Sequence, residues 1–256
     1  MYRIFNIVHI SYILLYPVIL VLLFLILRNR THITKTIVLF SCVLLCAGFE
    51  FYFMLVNVLY NWKSIFANLP IALCDLNMFI LSIALLKKGK KELLNKYILY
   101  VTVLVPLFVV IRPEIRPDLY TWYSPIVMGK LLPHILYSVV AILYLLFNVK
   151  HISTKKSYEV IINLILITTT LHIINMALVY SGLCPGANYF YTISEGNLTW
   201  VTNIARHLGS NNKFIRNYLV MILTVTCWVI VLNIIHRTIE YIYYNKIKKN
   251  HTKQIN

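Results

Sequence analysis

Two side chains in this sequence, Cys74 and His134, are of the types that pair as a nucleophile and its base. A thiol becomes a useful nucleophile when an imidazole accepts its proton or a nearby cation favours the thiolate. His134 could accept that proton, and Lys130, one helical turn before it, could supply the positive charge. The pair is separated by sixty positions, so the sequence leaves open whether the two side chains meet.

Further polar residues interrupt stretches that are otherwise strongly apolar. They are Glu50, Asp75, His172 and Asn175. An ionisable group at the centre of a transmembrane helix costs about 2.5 to 3.5 kcal/mol on insertion scales, and such a group is a functional-site hypothesis. We therefore expect these residues to form a supporting polar site around the Cys74 and His134 pair.

Helical spacing places several of these residues on common faces. Lys130, His134 and Ser138 follow each other at intervals of four, as do Cys42, Cys46 and Glu50. The least costly position for Lys130 inside a bundle is an ion pair with Asp75 or Glu50. The alternative interpretation is a buried network of charges that braces the helices and does no chemistry.

The composition shows which elements must position these side chains. Of the 256 residues, 60% are hydrophobic and only 12% are charged, whereas soluble domains have about 25% charged residues. This excludes an ordinary soluble enzyme and predicts one all-α, polytopic membrane domain over 1–256. A crossing needs about 20 apolar residues, and seven stretches qualify: 6–27, 36–60, 69–86, 94–111, 124–147, 158–181 and 217–239.

The distribution of basic residues predicts how the seven helices are oriented. Segments following the first, third, fifth and seventh spans hold 16 of the 24 Lys and Arg residues, against 7 on the opposite side. Because Lys and Arg collect on cytoplasmic loops, the N-terminus is predicted outside and the C-terminus in the cytoplasm. Glu50, Cys74, His134 and His172 then all lie in the outer half of the membrane.

One long connection, 182–216, is predicted on the outer side of the membrane. Its turn and aromatic residues, among them Gly186, Asn188 and Tyr189, suit a lid or an interfacial loop. It could equally be a simple connector between two spans.

The net charge of +16 is better explained by anionic lipid headgroups than by nucleic acid. The five cysteines form no C-x-x-C pair, and Cys42, Cys46 and Glu50 would supply only half of a metal site. The sequence also lacks serine-hydrolase, phosphate-loop, zinc-protease and haem-attachment motifs. We therefore predict no metal, no cofactor and no nucleic-acid partner, and the oligomeric state stays open.

Three segments resemble one family of membrane proteins. They are Leu69-Pro70-Ile71-Ala72-Leu73-Cys74-Asp75-Leu76, Pro133-His134 and Gly186-Ala187-Asn188-Tyr189-Phe190-Tyr191. They look like the bacterial YwaF-type integral membrane proteins, which resemble the transmembrane-protein-164 acyltransferases. The resemblance implies a bacterial cell-membrane enzyme that moves acyl chains between phospholipids or lysophospholipids, with Cys74 as nucleophile and His134 as its catalytic partner. Asn77 or Asn175 would then be candidates to stabilise an oxyanion.

Two other functions remain open at this point. Buried Glu50, Asp75, Lys130 and the histidines are the residue types of a proton- or cation-coupled transporter or channel. A seven-helix receptor or structural partner is the third possibility, and only the number of spans favours it. Loss of lipid turnover on Cys74→Ala, against loss of flux on Asp75→Asn or Glu50→Gln, would separate the first two functions.

Overall fold

The computed structural model of this chain describes residues 6–60, 66, 75–87, 89, 91–111, 121, 123–149, 151–189, 192 and 213–255. Every regular element in these ranges is helical. The helices are α1 (Ile7–Leu27), α2 (His32–Tyr60), α3 (Asn77–Leu86), α4 (Glu92–Tyr97), a π-helical segment (Ile98–Thr102), α5 (Leu104–Ile111), α6 (Pro125–Asn148), α7 (Tyr158–Tyr180) and α8 (Lys213–Ile255).

These helices confirm the all-α, polytopic membrane fold. Six of them, counting Glu92–Ile111 as one span, are long and apolar enough to cross a membrane, and the shorter apolar helix α3 corresponds to the third predicted span. The predicted residues 69–74 of that span lie outside the described residues. The orientation of the termini and the single-domain boundary stay predictions.

Helix boundaries follow local chemistry. The side chain of Asn6 accepts a hydrogen bond from the backbone N–H of His9 at 2.8 Å and so caps the start of α1. Pro125 occupies the first turn of α6, where its missing N–H costs nothing. Gly182, with φ of 73°, follows the end of α7 in the left-handed conformation that favours glycine.

Helix α6 is the centre of the fold. It packs against α1, α2, α3, the π-helical segment and α5, and two thirds of its most apolar part is buried. Gly129 of α6 faces Phe53 of α2, where an added Cβ would lie only 2.6 Å from the Phe53 Cβ. The absence of a side chain at Gly129 therefore sets how closely α2 and α6 approach.

The fourth span changes its helical geometry in the middle. Its π-helical turn ends with a hydrogen bond from the Val103 N–H to the Ile98 carbonyl, at 2.9 Å. Turns of this kind leave backbone groups for partners outside the helix. The Val103 carbonyl accepts the Ser138 hydroxyl of α6 at 2.6 Å, which ties the two spans together.

Helices α7 and α8 pack on each other and form a second core. Val160 and Leu164 of α7 and Val225 and Val229 of α8 enclose Tyr100 of the π-helical segment. The Tyr100 hydroxyl bonds the His236 Nδ1 of α8 at 3.0 Å, and the Trp228 indole donates to the Tyr100 carbonyl at 2.9 Å. This pair of helices is thus attached to the rest of the bundle through the fourth span.

At the predicted cytoplasmic end of the bundle, polar contacts hold the linkers between helices. Glu240 of α8 lies 3.1 Å from the His151 ring and accepts the Thr154 hydroxyl at 3.2 Å. On the same side, burial and the neighbouring Lys87 lower the pKa of Lys91, whose ammonium donates to the Ala84 carbonyl. These contacts fix the linker between α6 and α7 and the linker between α3 and α4.

Candidate active site

His134 lies in the buried middle of α6, directly after Pro133. Only 4% of the residue is exposed. Its Nδ1 is hydrogen-bonded to the backbone carbonyl of Lys130, one turn earlier. Since a carbonyl can only accept, Nδ1 must carry the hydrogen, and the other ring nitrogen of a neutral imidazole must be an acceptor.

That second nitrogen, Nε2, is buried and has no hydrogen-bond partner among the described residues. A buried ring nitrogen normally finds a donor. The local structure of α6 therefore holds an acceptor nitrogen in an apolar interior, in the tautomer that a general base requires.

Helix α2 places Cys46 and Glu50 against this part of α6. The Cys46 thiol is fully buried and donates to the Pro133 carbonyl, with Sγ 3.9 Å from the oxygen. One turn later, both carboxyl oxygens of Glu50 are buried, and the Tyr137 side chain of α6 interacts with them. The predicted face of α2 thus does point into the bundle.

The charged groups of this region interact electrostatically between α2, α6 and the turn before α3. Glu50 interacts with Asp75, at the start of α3, and with Lys130 of α6, and Lys130 also interacts with the His134 ring. The Lys130 ammonium lies 5.0 Å from the centroid of the Phe53 ring, in a cation–π position. The structure therefore brings together Glu50, Asp75, Lys130 and His134, four of the predicted site residues.

Cys74 itself lies outside the described residues, so its distance from His134 stays a prediction. The structure does describe the residues that follow Cys74 in the sequence. Asp75 is adjacent to it in sequence, and Asn77 begins α3. The Asn77 side-chain oxygen accepts the Thr102 hydroxyl at 3.0 Å, whereas its Nδ2 is buried with no partner among the residues described.

His172 and Asn175 belong to a different group, between α7, α8 and the outer loop 182–216. The His172 ring stacks on Tyr218 with 4.6 Å between ring centroids. Asn175 is fully buried and donates to the Tyr189 carbonyl at 2.8 Å and to the Thr192 hydroxyl at 2.7 Å. Both amide hydrogens of Asn175 are used in this way, so its observed bonds anchor the outer loop.

The three predicted lid residues occupy different environments. Gly186 is exposed, Asn188 is half-buried and Tyr189 is buried. The Tyr189 N–H donates to the Asn175 side-chain oxygen at 2.8 Å. The described start of the outer loop is therefore attached to α7 rather than freely solvated.

Sequence reasoning did not single out Tyr137, although a signal for it was present. Tyr137 lies three residues after His134 and seven after Lys130, which is one helical face. It is fully buried, its hydroxyl interacts with the Glu50 carboxyl as a side-chain hydrogen-bond partner, and it lies within electrostatic range of Asp75 and Cys46. Ser138, which the spacing favoured, instead bonds Val103 and Tyr16 and has a structural role.

No three or more His, Cys, Asp or Glu side chains in the described ranges are grouped so that they could hold a metal ion. What the described residues assemble is a histidine acceptor, two carboxyls, a lysine and a tyrosine hydroxyl between α2, α3 and α6. Groups of these types can move protons and stabilise negative charge.

The fold and this group of residues define a polytopic, all-α membrane protein with a polar cluster buried inside its helical bundle. Residues 4–236 match the TMEM164 family, and the chain belongs to that family. The predicted similarity to the transmembrane-protein-164 relatives is thereby confirmed. The comparisons with curated proteins and with solved structures gave no match.

Proposed function

We propose that this protein is a membrane-embedded lipid acyltransferase or acyl hydrolase that uses Cys74 as nucleophile and His134 as base. The observation that carries the proposal is the buried Nε2 of His134, which has no hydrogen-bond partner among the described residues and is held in the acceptor tautomer by the Lys130 carbonyl. The membrane location supplies the substrate class, since phospholipids and lysophospholipids surround the bundle.

In the first half of the reaction, His134 Nε2 takes the proton of the Cys74 thiol. The thiolate attacks the carbonyl carbon of a phospholipid ester, and the tetrahedral intermediate collapses to a thioester on Cys74. The departing lysophospholipid oxygen takes the proton from His134. The bond that breaks is the ester C–O bond, and the bond that forms is C–S.

In the second half, His134 removes a proton from the hydroxyl of an acceptor lysophospholipid, and the acceptor oxygen attacks the thioester. The Cys74 sulfur leaves and recovers its proton from His134. An acceptor hydroxyl gives transfer, and water in its place gives hydrolysis. No cofactor is needed for either outcome.

Other residues of the cluster support this chemistry. The Lys130 ammonium lies on the same face as His134 and favours a thiolate near it. The buried Nδ2 of Asn77, three residues after Cys74, has no partner among the described residues and is a candidate donor to an oxyanion, since the Thr102 hydroxyl fixes the amide oxygen.

The test is acyl transfer from a labelled phospholipid to a lysophospholipid, measured with the purified full-length protein in liposomes. Cys74→Ala and His134→Ala should abolish transfer. The matched controls are Cys227→Ala and His32→Ala, because both of these side chains lie on exposed helix surfaces. A labelled, hydroxylamine-sensitive acyl group should appear on the wild type and not on Cys74→Ala. Unchanged transfer by Cys74→Ala would refute the nucleophile assignment.

A proton- or cation-coupled transporter is the second candidate, favoured by the buried carboxyl oxygens of Glu50 inside a membrane-spanning helix. That function predicts loss of ion flux in liposomes on Glu50→Gln and full flux on Cys74→Ala. The acyltransferase predicts the opposite dependence on Cys74.

A further inference from the structure

A cluster of lysines follows the end of α3. The sequence there is Lys87-Lys88-Gly89-Lys90-Lys91, and the structure describes its first and last lysines. The 10 residues of α3, a rise of about 15 Å, separate this end of the helix from Asp75 at the other. The lysine cluster is therefore apart from the candidate active site, at the predicted cytoplasmic end of the bundle.

The contacts of Lys91 hold its ammonium in place without neutralising it. The ammonium donates to the Ala84 carbonyl in the last turn of α3, an acceptor that a helix leaves unused at its end. It also lies 5.7 Å from the centroid of the Tyr144 ring of α6. A carbonyl and an aromatic ring carry no net charge, so these contacts do not compensate the positive charge of Lys91.

Lys87 adds a second positive charge close to the first. The two ammonium groups repel, and burial, and after it the charge of Lys87, lower the pKa of Lys91. Neither lysine forms an ion pair in the ranges that the structure describes, and the acidic residue that follows them, Glu92, pairs with Lys96 at 3.0 Å. Because an opposite charge within about 4 to 6 Å favours the charged form of an ammonium, a bound anion would relieve this repulsion.

The exposed face of α3 that leads to the lysine cluster is apolar. Phe79, Ile83 and Leu86 share this face by helical spacing and are 51%, 52% and 61% exposed. Lys87 follows Leu86 directly. A ligand bound here meets apolar side chains along the helix and positive charge at its end, which matches the two parts of a phospholipid. A soluble anion would use only the charged end.

We propose that Lys87 and Lys91 bind the phosphate of an anionic phospholipid whose acyl chains lie along Phe79, Ile83 and Leu86. An anionic headgroup is favoured over a zwitterionic one because the latter carries its own cation, which the lysines repel. Lysine clusters beside the cytoplasmic end of a transmembrane helix attract such lipids electrostatically. The lipid is a bound partner at this site and not the substrate of the proposed acyl transfer, on which this inference does not depend.

The first test measures lipid binding to the purified full-length protein by native mass spectrometry. The probes are phosphatidylglycerol and phosphatidylcholine with identical ether-linked chains, which have no ester to transfer, so that binding is separated from acyl chemistry. The wild type should bind phosphatidylglycerol about 25-fold more tightly than Lys87→Gln/Lys91→Gln does, since each lysine near an anionic surface contributes about 1 kcal/mol, a factor of about five. Equal affinity of the wild type for the two lipids would overturn the proposal.

Lys155→Gln/Lys156→Gln is the matched control. It removes the same number of charges from the linker between α6 and α7, where both side chains are exposed, and should keep the wild-type affinity. An equal loss in this variant would show that only the net charge attracts the lipid and would overturn a site at Lys87 and Lys91. Lys87→Gln alone should weaken binding about fivefold at an unchanged unfolding temperature, because the Lys87 side chain is exposed.

A second measurement locates the acyl chains. Phosphatidylglycerol with a photoactivatable diazirine in its acyl chain should label the peptide containing Phe79, Ile83 and Leu86 more strongly than the phosphatidylcholine analogue does. Lys87→Gln/Lys91→Gln should lose this preference. An excess of inorganic phosphate at constant ionic strength should leave the labelling unchanged, because free phosphate makes no use of the apolar face. Displacement of the lipid by phosphate would show a site for free anions, and equal labelling by both lipids would show unselective lipid contact; either result would overturn the proposal.

Discussion

Replacement of Gly129 by alanine tests how the packing of α2 against α6 controls the site. An added Cβ would lie 2.6 Å from the Phe53 Cβ, 3.0 Å from its Cγ and 3.1 Å from its Cδ2. Carbon atoms prefer a separation of about 3.5 to 4.0 Å, so the two helices must move apart by roughly 1 Å. The Phe53 Cβ is fixed to the backbone, and a change of side-chain rotamer does not relieve this contact.

The expected cost has two parts. Overpacking of a close contact destabilises a fold by about 1 to 3 kcal/mol, to be measured by thermal unfolding in detergent. Glu50 lies one turn before Phe53, and Lys130 follows Gly129 directly, so the same movement separates groups of the site. A displacement of about 1 Å can lower kcat by around 10²-fold.

Gly48 provides the control for this prediction. It also lies in α2, but an added Cβ at Gly48 meets no atom within 4 Å. Gly48→Ala should therefore be neutral or stabilise α2 by up to about 1 kcal/mol through helix propensity. If Gly129→Ala matches Gly48→Ala in both stability and kcat, the close α2–α6 contact does not position the site. Phe53→Ala should fail to rescue Gly129→Ala because it keeps the Cβ.

Three further substitutions test contacts elsewhere in the bundle. Asn175→Ala removes both bonds that its amide donates to the outer loop and the bond that it accepts, and should cost about 2 to 3 kcal/mol; unchanged protease sensitivity of that loop would contradict the anchoring role. Ser138→Ala breaks the bond to the Val103 carbonyl and should lower the free energy of unfolding by about 1 kcal/mol while leaving kcat unchanged. A large loss of kcat would instead show that Ser138 takes part in the reaction. Tyr100→Phe removes the bond to His236 and should speed amide hydrogen exchange in the part of α8 around His236. Unchanged exchange there would contradict the view that the second core attaches α8 to the bundle.

The relation between sequence and structure differs from one span to the next. The predicted spans 6–27, 124–147 and 158–181 match α1, α6 and α7 to within a residue or two. Their ends are marked by residues with strong local preferences, such as Asn6, Pro125 and Gly182. Helix α8 runs well past the predicted end at 239, because a hydropathy pattern records where a helix leaves the hydrocarbon and not where its backbone hydrogen bonds stop.

The π-helical turn within the fourth span was beyond prediction. Its sequence, Ile98–Thr102, is apolar and has no residue that breaks a helix. The turn is stabilised by distant partners, among them Asn77 of α3 and Trp228 of α8. These partners come into contact with the turn only when the helices pack, so the local sequence does not indicate them.

The polar site, too, was predictable from the sequence in part and depended on helix packing for the rest. Composition and periodicity alone identified a membrane protein, its spans and the face of α6 that carries Lys130 and His134, because hydrophobic burial in a lipid bilayer depends mainly on the type and spacing of residues. Only the tertiary structure decided that Glu50 and Tyr137 meet at this face of α6. It also decided that His172 and Asn175 contact the outer loop and that Ser138 has a packing role. Those outcomes depend on how closely helices far apart in sequence approach one another, and a contact as small as the one between Gly129 and Phe53 determines that distance.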